Sequence, residues 1–178
     1  MRLGAIVVGV LASLTGVADE VAPPWANPET LVAFAKSSDR ARVHALLYQN
    51  EGGWSRVKAQ VASGDPSWID AAKVLRRSTD GGMSSELHDA MFEALRANPA
   101  AVLARAEPEF KLSVLCGGRV DPLPTFQAAE SEQASTIAAV RAVSAKSLES
   151  RKNSCLAHLE QGRANLKRFF KVGATGAF

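Results

Sequence analysis

Of the four places where an asparagine or aspartate stands directly before a proline, Asp121-Pro122 belongs to a proline-rich connector, and the other three, Asn27-Pro28, Asp65-Pro66 and Asn98-Pro99, read as helix starts. The first side chain accepts from backbone N–H groups that a helix leaves orphaned, and the proline, lacking an N–H, suits the first helical position. These starts predict helices over 28–36, 66–77 and 99–106. Between them, Asp39 caps a helix to about Asn50, ended by Gly52-Gly53, and Trp54 begins another that closes at Gly64. After a turn at Asp80-Gly81-Gly82, Ser84 or Ser85 caps a stronger helix to about Ala97. The three caps lie 38 and 33 positions apart. That approximates the period of a helical-hairpin solenoid, in which stacked pairs bury a continuous core. The residues between the caps repeat poorly, so a short irregular stack is expected.

Apolar spacing supports these helices. Trp54, Val57 and Val61 fall on one face, as do Trp68, Ala72 and Leu75, and Leu87, Met91, Ala94 and Leu95 form a third stripe. The tryptophans and Met91 are read as core. Aromatic residues make up only 6% of the chain and alanine is abundant, a balance that favours helix over sheet. Short connections between amphipathic helices predict antiparallel packing of neighbours. Phe110–Leu115 can add a short helix before Cys116-Gly117-Gly118. Asp121-Pro122-Leu123-Pro124 is a rigid connector. Beyond it, residues 126–170 hold no proline and one glycine, Gly162. Two helices are read there, about 126–143 and 146–170, with one kinked helix as the alternative. Leu148, Cys155, Leu159, Gly162, Leu166 and Phe169 or Phe170 share a face of the last segment. The fold class is therefore all-α: a stack over 54–116 and a C-terminal helical pair over 126–170, within one domain spanning 19–170. Residues 171–178 read as a disordered tail.

The first eighteen residues have the layout of a secretory signal peptide. Arg2 precedes an apolar run from Leu3 to Val17, and Gly16-Val17-Ala18 presents small residues before Asp19. Cleavage is expected near Ala18, with a periplasmic protein as product. At about fifteen residues the run is shorter than a bilayer span needs, so no transmembrane segment is expected once the leader is removed. Two cysteines remain, Cys116 and Cys155. In an oxidising compartment an isolated pair is most simply a disulfide, here tethering the final helix to the stack. The net charge of +3 is too small and too mixed in sign for a nucleic-acid footprint.

Several patterns bear on chemistry. Cys116 could be a nucleophile with His158 or His88 as base, but that needs a free thiol and an orienting group. Cys155 and His158 stand three apart on one helix, a conceivable metal pair that competes with the disulfide for the same sulfur. His44, His88 and His158 otherwise read as ordinary surface or half-buried residues. Glu86, Asp89 and Glu93 could do acid–base work if buried. Their spacing instead puts them on the face away from Leu87 and Met91, where a solvated helix surface is expected. Lys167, Arg168 and Lys171 surround Phe169-Phe170, which suits either an anionic membrane surface or the dipole of a helix C-terminus. The second explanation is preferred. No catalytic, cofactor-binding or metal-ligating residue is assigned.

A set of residues resembles a pattern found in small secreted helical proteins of Gram-negative bacteria that have no assigned activity. It comprises Trp54, Gly64-Asp65-Pro66-Ser67-Trp68, Asp80-Gly81, Leu87, Ala94-Leu95, Asn98-Pro99, Val102-Leu103, Cys116 and Cys155-Leu156. The resemblance implies a HEAT-like helical fold in the periplasm. In size, leader, helical content and disulfide the chain is more loosely similar to periplasmic immunity proteins that plug secreted cell-wall amidases. The function expected is a non-catalytic module that binds another protein or an envelope component. Alternatives are an immunity or inhibitor protein against an envelope toxin and, less favoured, a hydrolase.

Overall fold

A computed structural model describes residues 22–49, 52–121 and 123–175. The leader, its cleavage point and residues 176–178 lie outside the described residues. Within them every regular element is a helix. In chain order these are α1 (Pro28–Ser37), α2 (Arg40–Val43), α3 (Gly53–Ala62), α4 (Pro66–Arg76), α5 (Gly81–Ala97), α6 (Pro99–Arg105), α7 (Leu112–Leu115), α8 (Phe126–Arg141) and α9 (Glu149–Thr175). A π-helical segment, His44–Tyr48, continues α2, and a 3₁₀ turn at Lys146–Leu148 leads into α9. The C-terminal region is thus two helices rather than one kinked one. Helix α9 runs on to Thr175, past the boundary at 170 where the tail was expected to begin.

The caps act as the sequence implies. Asn27, Asp39, Asp65 and Asn98 each accept from a backbone N–H in the first turn that follows. The cap of α5 is a correction. Asp80 accepts from the amide of Met83 at 3.1 Å, so Gly81 and Gly82 lie inside the helix and Ser84 and Ser85 follow the cap by a full turn. Two glycines cost helix propensity, about 1 kcal/mol each against alanine, and burial of Met83 and a good cap offset that locally.

Packing is by alternate helices. Helix α3 lies along α5 in the same direction: Trp54 and Lys58 reach Glu86 near the start of α5, and Gly64 meets Asn98 just beyond its end. Helix α4 lies along α6 in the same way, with ion pairs from Asp70 to Arg105 and from Lys73 and Arg77 to Glu109. The consecutive pairs α3–α4 and α4–α5 touch less extensively than these alternate pairs, whereas α5 and α6 pack closely. Helix α5 sits centrally, in contact with α3, α4, α6, α7 and α8. Trp54, Trp68 and Met91 are buried, as are Val57, Val61, Leu75, Leu87, Ala94 and Leu95.

The C-terminal pair is antiparallel. Phe126 meets Phe170 at one end, Glu130 pairs with Arg163, and the Gln133 amide donates to the Leu159 carbonyl at 2.9 Å. Cys116 and Cys155 form a disulfide, with Cα atoms 5.2 Å apart, that joins the end of α7 to α9. Both cysteines are fully buried.

Candidate functional site

Immediately after Cys116 the chain runs as a short strap, residues 117–121, between α5 and the C-terminal pair. Its backbone carries polar groups that helix formation cannot satisfy, so side chains must. On the α5 side, the His88 ring nitrogen Nε2 bonds the Gly118 carbonyl at 3.1 Å, so Nε2 carries the proton. The Asp89 carboxylate accepts from the amides of Val120 at 2.7 Å and Asp121 at 3.2 Å. On the other side Gly117 lies beneath Gly162 of α9. Gly118 adopts φ +121°, a conformation that favours glycine.

Arg119 closes the strap. Its guanidinium contacts Glu93 at 2.7 Å, Glu132 of α8 at 3.2 Å and Asp89 at 3.5 Å. Burial opposes its charge, but the hydrogen bond it donates to Glu93 and the fields of Asp89 and Glu132 outweigh that and hold its pKa above the ordinary arginine value. Alongside lies a cleft of about 230 Å³, lined by Lys58, Ala59, Ala62, Glu86, Asp89, Ala90, Glu93, Arg119 and Asp121. Four carboxylates and two cations line it, and both cations are ion-paired to carboxylates of α5.

The acidic triplet on α5 is the main correction to the sequence reading. Asp89 is 4% exposed rather than solvated, because the strap covers it. Glu86 accepts from the Trp54 indole N–H at 3.0 Å and pairs with Lys58, and Glu93 is tied to Arg119. These carboxylates fasten a distant segment. His88 is also buried, and desolvation lowers its pKa, partly opposed by the Gly118 carbonyl. Periodicity shows which residues share a helix face. It carries no sign of what covers that face from 31 residues away.

The other candidates separate. The Cys116 and Cys155 sulfurs are bonded to each other, so neither is a thiolate nucleophile or ligand. His158 is half-buried on α9, on the same helix as Cys155. His44 stacks on Tyr48 with ring centroids 5.0 Å apart and faces Asp80 at 3.7 Å. Phe170 packs edge-on against Phe126, while Phe169 stands out to solvent. Among the described residues no helix is long and apolar enough to cross a membrane.

Comparison with protein-family models, curated proteins and solved structures found no match to this chain.

Proposed function

We propose that the protein is a non-catalytic helical binding module, exported to the periplasm, whose recognition surface includes the charged cleft between α3, α5 and the strap. One observation carries the reading. The polar groups with the most chemical potential, Asp89, Arg119 and the two cysteine sulfurs, are all committed to holding the strap and the C-terminal pair in place. What the cleft offers a partner is a rigid rim of mixed charge, suited to complementary recognition rather than turnover. A buried disulfide supports an oxidising compartment. The alternation of parallel helices supports a HEAT-like stack, a class that works by presenting an extended surface.

Affinity capture from periplasmic extract, with mass spectrometry, tests this when wild type is compared with Ala59→Arg and Asp121→Lys. Both positions are exposed on the cleft rim, so the fold is retained. A partner held stoichiometrically by wild type and depleted about tenfold or more by either variant supports the cleft, as loss of about 1.4 kcal/mol requires. A captured cell-wall hydrolase would narrow the reading to an inhibitor. Identical capture by all three proteins removes the cleft from the function.

A further inference from the structure

We infer that the open end of the α8–α9 pair is a docking surface for an anionic lipid bilayer. Two independent features converge there. The first is aromatic. Phe126, Phe170 and Phe169 form a row of edge-to-face rings, with centroids 5.8 Å and 5.3 Å apart. The row lies outside the hydrophobic core. Its outer ring, Phe169, is 60% exposed, the most of any large apolar side chain among the described residues. Leu166 is half-buried one turn before Phe170.

The second feature is charge. Residues 161–178 hold four cationic side chains, Arg163, Lys167, Arg168 and Lys171, and no aspartate or glutamate. The rest of the chain is therefore slightly negative, and the positive excess is gathered in the last helix. Arg163 is neutralised by Glu130. Lys167 and Arg168 are exposed beside Phe169. Helix α9 runs on to Thr175 with no cation in its last turn, so the helix dipole accounts neither for Lys167 and Arg168 nor for the exposed phenylalanine beside them. An exposed aromatic flanked by lysine and arginine is the composition of a helix end lying at a lipid headgroup layer. The ring enters the acyl boundary and the cations meet phosphate. Attachment is peripheral, since no described helix can cross the bilayer. This inference does not depend on what the cleft binds.

The test is co-sedimentation of the mature protein with vesicles of phosphatidylcholine alone and of phosphatidylcholine with an equal share of phosphatidylglycerol. Binding is expected to the anionic vesicles at low salt and to weaken as salt rises. Lys167→Glu with Arg168→Glu should reduce the partition coefficient at least about thirtyfold, and Phe169→Ala about fivefold. Arg40→Glu with Arg56→Glu makes the same change in net charge at exposed sites on α2 and α3 and should retain most of the binding. Circular dichroism confirms that each variant keeps its helices. Equal binding to both vesicle types, equal loss in the two charge-reversed variants, or no binding at all overturns the proposal. So does self-association abolished by Phe169→Ala, which would assign the aromatic row to a second copy of the chain.

Discussion

Gly162 of α9 rests against the carbonyl oxygen of Gly117, so closely that a Cβ at position 162 would stand well inside contact distance of that oxygen and crowd the Gln133 amide. Gly162 is thus where a helix meets bare backbone. Gly162→Ala should gain about 1 kcal/mol of helix propensity. Overpacking against a carbonyl that the neighbouring disulfide prevents from retreating should cost more, about 1–3 kcal/mol. We expect a net loss of stability in urea unfolding. A more stable variant would show that α9 sits farther from the strap.

Asp89 accepts from two backbone amides and stands 3.5 Å from the Arg119 guanidinium, so its removal strands two donors and weakens an ion pair. Asp89→Ala should destabilise the fold by about 3 kcal/mol, in the range for unpairing buried polar groups. Hydrogen exchange gives the local check. In wild type the amides of Val120 and Asp121 should be protected, and in the variant they should be among the first to exchange. Fast exchange of both in wild type would rule out the clamp.

Replacing both Cys116 and Cys155 by serine should lower stability by about 2–4 kcal/mol while leaving most helix intact. Helix α9 should then be the first segment nicked by protease. Thiol titration of unreduced protein should find no free sulfhydryl, and two per monomer would exclude the bond.

Asn98 works on both sides of the α5–α6 junction. Its Oδ1 accepts from the Ala101 amide, and its amide group donates to the Gly64 carbonyl at 3.0 Å. Asp65 caps through one carboxylate oxygen shared between Ser67 and Trp68. Asp65→Ala should cost about 1 kcal/mol. Asn98→Ala should cost more, and Asn98→Asp should recover only the capping share, because a carboxylate cannot donate to Gly64. Equal stability of Asn98→Asp and wild type would mean that the Gly64 bond contributes nothing.

Acid should weaken the fold in two stages. Burial lowers the pKa of His88, so below about pH 6.5 the unfolded chain takes up a proton before the native one does, and stability falls until the folded pKa is passed. His88→Gln, which keeps a donor for the Gly118 carbonyl, should flatten that first stage. Hydrogen bonds from Arg77 and Arg163 hold Glu109 and Glu130 below the ordinary carboxylate range. Their contribution is full above that range and is lost as pH falls through the lower folded values. Unfolding free energy measured from pH 8 to pH 3 should show both declines. A profile that is flat between pH 7 and pH 5 would place His88 in solvent.

Local chemistry was legible in the sequence and non-local coverage was not. The caps at Asn27, Asp39, Asp65 and Asn98 announce themselves because each bond lies within three residues of its donor. The Cys116–Cys155 pairing follows from there being two cysteines. At Asp80 the glycines that follow read as a turn, although the aspartate caps a helix through them. The π-helical segment at His44–Tyr48 has no marker in its residues. Above all, the strap turns the polar face of α5 into an interior. Asp89 and His88 have the spacing of surface residues and the burial of core ones.

The disulfide also determines which parts of the chain can feel a pull. Tension applied between the two ends would pass from Cys116 to Cys155 through the sulfurs, bypassing α8 and the strap entirely. With 39 positions between the cysteines, roughly 130 Å of backbone is hidden length, released only when the bond is reduced. Under such tension the segment between the cysteines, α8 and the first turns of α9 included, stays slack while the helices on either side of it bear load.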